Sequence, residues 1–249
     1  MKQTTKKLLI NLIQVVVLAV AVVLLWYAAA LIYDNQLVLP EPWSVIKLTF
    51  ALLGKGSTYL ALLYTLLRAV VAFVASVGFA LLLSLLVGVF PKSGFVVGAI
   101  VTVLRALPTI AVILVVLILF NSGVTPVVVA FLVAFPIAYS AFTRQFERNQ
   151  QLINLCKVYD VAPSKKVKFV LFPLMRDELL PLVSDQLPLC IKVVVAGEVL
   201  ALPLSGIGRQ MYVAKVNLDT ANVVALTILT LVVCFAISGV VALCQRKKI

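Results

Sequence analysis

The sequence lacks the groups on which most enzymes and metal sites depend. It contains no histidine, and its four cysteines show no C-x-x-C spacing. A histidine-based catalytic dyad is therefore excluded, and a structural zinc site is not expected. The nine Asp and Glu residues do not cluster, so we predict that the chain is not an enzyme and holds no metal or cofactor. We expect the cysteines to be free thiols.

Apolar residues dominate what is present. They make up 63% of the 249 residues, and the mean hydropathy is +1.18, whereas a soluble domain is roughly half apolar. The net charge of +12 does not indicate a nucleic-acid partner, because the basic residues lie at the ends of apolar runs rather than on an amphipathic face with interleaved aromatics. The chain therefore reads as a polytopic membrane protein.

Six apolar runs are long enough to cross a bilayer core of about 30 Å as helices rising 1.5 Å per residue. They cover residues 8–32, 59–89, 95–120, 124–142, 177–202 and 223–244. The first run is too long for a signal peptide, whose apolar region has about 7–15 residues. We predict an all-α fold with six transmembrane helices. Residues 1–58 would form one such helix and an external amphipathic segment, and residues 59–249 a core of five helices.

The distribution of positive charge predicts the orientation. Residues 152–175, which we call the basic segment, are the longest polar interruption and carry four lysines. Basic loops remain on the cytoplasmic side, so this loop, at about residues 150–175, is predicted to be cytoplasmic. Both termini are also basic, at Lys6 and Lys7 and at Lys247 and Lys248. We therefore place both termini in the cytoplasm, as six spans require, in a multi-pass protein of the cell membrane.

Local signals predict the structure of the basic segment. We expect a short helix over residues 152–159, a turn at Ala162-Pro163-Ser164, and a second helix from Ser164 that ends near Pro173, because the residue before a proline resists helical geometry. Val158, Val161 and several later residues give this loop an apolar side. A cytoplasmic loop that is both basic and apolar indicates a docking surface.

The basic segment resembles the EAA loop of ABC-importer permeases. Ala162, Phe169 and Pro173 stand at the family's positions, while other residues replace its Glu, Ala, Ala and Gly; these are Leu155, Cys156, Lys157 and Val161. More motifs follow the family's order along the chain: Leu39-Pro40-Glu41-Pro42, Thr65-x-x-Arg68, Leu104-Arg105 with Pro108, Ala196-Gly197-Glu198, and Gly206-Ile207-Gly208. The ordered set is similar to the six-span permease of a type I ABC importer of the nitrate, sulfonate and taurine branch, which also includes permeases for thiamine precursors.

That resemblance implies a set of partners and a function. A second permease copy, identical to the first, would complete a substrate pathway in the lipid bilayer, ABC ATPase subunits would bind on the cytoplasmic side, and an external substrate-binding lipoprotein would deliver the solute. The sequence has no G-x-x-x-x-G-K-[ST] loop, so the ATPase has to be separate. The solute would be a sulfonate, nitrate or taurine-like anion, or a pyrimidine precursor of thiamine. The residues expected to couple to the ATPase are Leu155, Cys156, Lys157, Val158, Asp160, Val161, Ala162 and Pro163.

Charged residues inside the predicted spans are the candidates for the pathway. Charges in a membrane are a functional hypothesis by default, although ion pairing between helices is an equally good explanation for each one alone. The set is Arg68, Arg105, Asp185, Lys192 and Glu198. Asp185 and Lys192 are seven residues apart and so share a helix face, whereas Glu198, six residues beyond Lys192, points elsewhere.

Two further expectations remain open. Pro108 is expected to kink or open the third span, because it removes a helix hydrogen bond. The alternative function is an ion-coupled secondary carrier or channel that works without an ATPase and uses Asp185, Lys192 and Glu198. Carriers of that kind usually contain internal repeats with broken helices at matching positions, and none is seen here.

Overall fold

The structure, a computed structural model, describes residues 2–33, 35 and 37–246. All regular elements in this part of the chain are helical, which confirms the all-α prediction. Long apolar segments favour helices because lipid offers no hydrogen-bond partners to the backbone. Lys247 and Lys248, which contribute to the predicted orientation, lie outside the described residues.

Eleven helices can be followed in the described residues. In chain order they are α1 (Lys2–Tyr33), α2 (Pro42–Leu53), α3 (Gly56–Val89), α4 (Gly94–Ala106), α5 (Thr109–Leu119), α6 (Thr125–Arg148), α7 (Gln150–Val158), α8 (Pro163–Lys166), α9 (Phe172–Ala201), α10 (Ile207–Val216) and α11 (Thr220–Arg246). Within the part of the chain that the structure describes, five segments are long and apolar enough to span a membrane, within α1, α3, α6, α8–α9 and α11. With α4 and α5 counted as one bent span the number is six, as the sequence predicts.

The third predicted span, residues 95–120, is not one helix. α4 and α5 meet at an angle of 101°, so the expected kink is in fact a complete break. Leu107 and Pro108 both adopt extended backbone, with ψ of 130° and 127°. A proline disfavours helical geometry in the residue before it and cannot donate to the preceding turn, and two successive extended residues separate the helices.

The basic segment differs from prediction in its turn. α7 covers Gln150–Val158, close to the expected helix. It ends in a Schellman motif: the amide of Val161 donates to the Cys156 carbonyl (2.9 Å), and the amide of Asp160 donates to the Lys157 carbonyl (3.2 Å). Asp160 takes the left-handed conformation (φ 47°), which aspartate tolerates better than most residues. The turn therefore precedes Pro163, which is the first residue of α8.

The prediction that the second helix of the basic segment ends near Pro173 is wrong. α8 continues through a π-helical turn, Val167–Leu171, directly into α9. Pro173 is the second residue of α9, and the amide of Phe172, directly before it, donates across the π turn to the Val167 carbonyl. The π turn changes the hydrogen-bond pattern before the proline, so the chain stays helical. The fifth predicted span accordingly starts before residue 177.

Two compact units divide the chain. One comprises the residues up to Gly56 together with Met211–Leu229, and the other comprises Ser57–Gln210 with the residues from Thr230 onward. In the first unit, the Trp26 indole donates to the Pro40 carbonyl (3.1 Å), and the Thr220 hydroxyl donates to the Leu37 carbonyl. These bonds fix the turn before α2 to α1 and α11.

The second unit has its core where α3, α6 and α9 meet. Ala80, Phe135, Phe142, Leu171 and Met175 are all buried there. Small residues let two helices approach closely, and the packing contacts that result stabilise helix association in lipid. Gly197 of α9 is such a residue, because a Cβ there would stand only 3.0 Å from the Cα of Pro126 in α6.

A proline in α9 also creates a contact with α11. Pro188 cannot donate to the carbonyl of Ser184, four residues earlier. The Ser238 hydroxyl of α11 donates to that carbonyl instead, at 3.2 Å. The two helices are thereby joined at a point where α9 would otherwise leave a carbonyl without a partner.

Candidate functional site

Two regions of the second unit collect most of the residues selected from the sequence. The first surrounds Glu198, which lies in the last turn of α9 and is completely buried. Its carboxylate accepts hydrogen bonds from the Arg68 guanidinium (2.6 Å), the Thr65 hydroxyl (2.9 and 3.0 Å to the two oxygens) and the Gly208 amide (3.0 Å). We call this group, with Ser205 and Ile207, the Glu198 cluster.

Thr65 and Arg68 reach the cluster from one face of α3, because residues three apart are neighbours on a helix. The Arg68 side chain, 14% exposed, also donates to the Ser205 carbonyl at 2.7 Å. The Thr65 hydroxyl accepts a bond from the Ile207 amide at 2.9 Å. Both α3 side chains therefore bind the carboxylate and the backbone that follows α9.

Two glycines make this approach sterically feasible. Gly206 has φ of +153°, and a Cβ there would stand 2.4 Å from the Glu198 carboxylate. A Cβ on Gly208 would stand 2.3 Å from the Val195 carbonyl oxygen. Real Cβ atoms do not approach other atoms so closely, so the Gly206-x-Gly208 pattern is explained by the need to bring the backbone onto Glu198.

The hydrogen bonds of the Glu198 cluster have a structural role, because they hold three segments of the chain together. The carboxylate has a charged partner and two further donors, as a buried charge requires. It joins α3, α9 and the start of α10 through the loop at residues 202–206. Sequence reasoning selected Arg68 and Glu198 separately, but the structure pairs them with each other.

The remaining candidate pathway charges are not part of this cluster. Arg105 is exposed in the last turn of α4, directly before the break at Leu107 and Pro108. Asp185 and Lys192 are both exposed on α9, as is Ala196, at helical spacing along one face. This face of α9 is therefore exposed and charged within a segment apolar enough to span a membrane.

The second region is α7, which has two apolar faces. Ile153 and Cys156 are buried against the chain's own core. A different face, continued by the capping residue Tyr159, exposes four apolar side chains, which are Leu152 (42%), Leu155 (51%), Val158 (78%) and Tyr159 (76%). An exposed apolar stripe beside a buried one indicates a surface that something else covers.

The other residues predicted to couple to an ATPase surround α7. Lys157, Asp160, Ala162 and Pro163 are exposed, and Val161 is half-buried beneath the end of α7. Of the eight predicted coupling residues, Cys156 is the one that is buried, so it supports α7 from inside.

Sequence reasoning missed several residues that hold these regions together. Thr65, Ser205, Gly206 and Gly208 were not selected as site residues, although the motifs that contain three of them were recognised. The signal was present for Thr65, since it shares a helix face with Arg68. No sequence signal identified Lys166, whose ammonium is 8% exposed and donates to the Gly88 carbonyl at 2.6 Å.

Comparison with known families identifies the chain. The family described as "Binding-protein-dependent transport system inner membrane component" matches residues 77–249. The matched range includes the basic segment and Glu198, while Thr65 and Arg68 precede it. No curated protein matches the chain. Because the family match covers more than half of the sequence and the fold is helical and polytopic, the chain belongs to the inner-membrane permeases of binding-protein-dependent ABC transporters, which are transport components and leave ATP hydrolysis to a separate subunit.

Proposed function

We propose that this chain is the permease of an ATP-driven importer for a small anion, that it works as a pair of identical copies, and that α7 is the helix on which the ATPase docks. The exposed apolar face of α7 carries the proposal. The family makes an ATPase and a binding protein its partners. Membership of this family also argues against the alternative function, a carrier that works without an ATPase.

The composition of α7 and its surroundings suits a protein groove better than lipid. Four apolar side chains form the contact, and Lys157, Lys165 and Lys168 are exposed around it. An apolar centre with a charged rim is the usual anatomy of a protein interface. Helix-in-groove binding is read from anchors spaced three and four residues apart, as Leu152, Leu155 and Tyr159 are.

Val158→Asp is expected to weaken ATPase binding about tenfold or more, because a carboxylate would be desolvated at the centre of an apolar contact. The measurement is co-purification of the ATPase with the tagged permease from membranes. Gln150→Glu is the matched control: it adds the same charge at an exposed position in the first turn of α7, two turns away from Val158 and away from the exposed apolar side chains. Unchanged ATPase recovery with Val158→Asp would contradict docking through α7.

The charged face of α9 supports the pairing and the pathway. A lysine or aspartate facing lipid at the centre of a bilayer is unfavourable by about 2.5–3.5 kcal/mol on insertion scales. Asp185 and Lys192 are exposed on the isolated chain, so in the membrane they need protein or water against them. A second copy of this chain, facing the first through α9, would provide both.

The charges left among the candidate pathway residues of α4 and α9 favour an anionic solute. Arg68 and Glu198 neutralise each other in a buried pair, which leaves Lys192 and Arg105 against Asp185 among the candidate pathway residues. A net positive pathway suits a sulfonate, nitrate or taurine-like solute better than a neutral pyrimidine. Within this proposal, residues 59–249 form the permease core, residues 1–58 are an addition to it, and the basic segment and both termini are cytoplasmic.

Lys192→Gln is expected to reduce uptake of a sulfonate about tenfold, and Lys192→Arg is expected to retain most of it, since one charge-assisted contact is worth about 1.5–3 kcal/mol. The measurement is ATP-dependent uptake of labelled taurine, methanesulfonate and nitrate by cells that express the complete transporter. Uptake that is equal in the Gln and Arg variants would contradict an anion path along α9 and favour the neutral pyrimidine.

A further inference from the structure

We propose that Lys166 is a positioning residue that connects α7 to the loop at residues 202–206, with α3 as the rigid link between them. The proposal rests on the function proposed above, because it assumes that an ATPase moves α7. It assigns a role to a lysine that neither the motifs nor the family match identifies. Three observations carry it, one at each end of α3 and one along its length.

At the first end, Lys166 fixes the basic segment to α3. Its side chain is 8% exposed, and its ammonium donates to the Gly88 carbonyl at 2.6 Å. Gly88 is the penultimate residue of α3, so its carbonyl is among the last four of a helix, which have no partner inside the helix. A cation is also favoured at that end by the helix dipole.

Packing reinforces the same contact. A Cβ on Gly88 would stand 2.7 Å from a terminal methyl of Leu171 and 3.3 Å from the ring of Phe146. Leu171, in the π-helical turn that follows α8, is completely buried. The absence of a side chain at Gly88 therefore lets the basic segment pack directly against α3. A displacement of α8 would have to displace this end of α3 as well.

At its other end, α3 binds the loop at residues 202–206. Thr65 and Arg68 contact Glu198, the Ser205 carbonyl and the Ile207 amide. Residues 68 and 88 are 20 positions apart on one helix, which at 1.5 Å per residue is about 30 Å, the thickness of a bilayer core. α3 therefore has a fixed contact on each side of the membrane.

The helix between these contacts is unbroken. α3 is continuous from Gly56 to Val89 and contains no proline, in contrast to α6 and α9. Sharp helix bends almost always occur at prolines, Gly/Ser pairs or π turns; Ser76 and Gly78 lie between the two contacts, and α3 continues through both without a break. An unbroken helix held at both ends transmits displacement, so motion of α7 reaches the 202–206 loop through Lys166.

The test compares Lys166→Met with Lys166→Arg. Methionine keeps an unbranched apolar stem and removes the ammonium, whereas arginine restores a cationic donor. The readout is the labelling rate of Leu204→Cys, at a position 95% exposed, by a water-soluble maleimide, with and without a non-hydrolysable ATP analogue. Chains without Leu204→Cys give the background from the native cysteines. The complete complex, with its ATPase and in membranes, is used throughout.

We expect ATP to change the labelling rate at Leu204→Cys in the unaltered complex by at least about fivefold, the lower end of usual coupling between sites. Lys166→Met should abolish this change and Lys166→Arg should keep it. Lys92→Met, at an exposed position just after α3, should also keep it. ATPase co-purification should be the same in all of them, so a loss of the ATPase would count against the proposed docking rather than against Lys166.

A second variant covers the case in which Lys166→Met does not fold. Thr65→Val removes the hydroxyl at the far end of α3 and leaves Lys166 and α7 intact. It should also abolish the ATP-dependent change while the ATPase still co-purifies. A full ATP-dependent change at residue 204 in either folded variant would overturn the proposal.

Discussion

Arg68→Ala is expected to destabilise the folded chain by about 3–5 kcal/mol, the usual penalty for removing one partner of a buried ion pair. Glu198 is completely buried, and the Arg68 guanidinium is its charged partner at 2.6 Å. Without it, the carboxylate keeps the Thr65 and Gly208 bonds but has no compensating charge. The measurement is the thermal unfolding of purified protein in detergent, followed by the loss of soluble monodisperse chain.

A double-mutant cycle separates the pair from its surroundings. Glu198→Gln retains acceptor and donor atoms near Thr65 and Gly208 but removes the charge, and Arg68→Met removes the partner with little loss of apolar contact. The combined variant is expected to be less destabilised than the sum of the two single changes, by about 1–3 kcal/mol. Strict additivity would show that Arg68 and Glu198 do not stabilise each other.

Gly208→Ala is the second change with a large expected effect, a destabilisation of more than about 3 kcal/mol. The new methyl would stand 2.3 Å from the Val195 carbonyl oxygen and 2.6 Å from the Cβ of Glu198. The nearest group is backbone and cannot rotate away, so α10 would have to separate from α9. The same unfolding measurement checks it.

The control for this variant is a glycine with open space. Gly78 of α3 has no atom within 4 Å of the position that a Cβ would occupy. Gly78→Ala is therefore expected to be neutral, or to stabilise by up to about 1 kcal/mol through the higher helix propensity of alanine. Equal destabilisation by the two substitutions would show that the close approach at Gly208 is not what makes glycine necessary there.

Most of the fold could be read from the sequence because hydropathy is a property of single segments. The short helix expected at residues 152–159 is close to α7, Gln150–Val158, and the spans follow the apolar runs. Errors arose where proline acted in ways that depend on its neighbours. Pro108, with Leu107 extended before it, broke a span completely, whereas Pro173, placed in a first helical turn after a π turn, broke nothing.

The contacts of the site could be predicted less well. Charge and spacing identified Arg68 and Glu198 as unusual residues, but their pairing spans 130 positions and depends on how α3 and α9 are rotated against each other. Lys166 looked like one more basic residue of a cytoplasmic loop. Its burial depends on Gly88, 78 positions earlier, and no local pattern contains that information.

The central claim is that α7 presents its exposed apolar face to an ATPase. A photo-reactive amino acid at Val158, 78% exposed, tests it in intact membranes, with Ile118, 84% exposed on α5, as the control position. We predict that illumination links residue 158, and not residue 118, to an ABC ATPase identified by mass spectrometry. Absence of the ATPase from residue 158, or its equal capture at residue 118, would contradict the account.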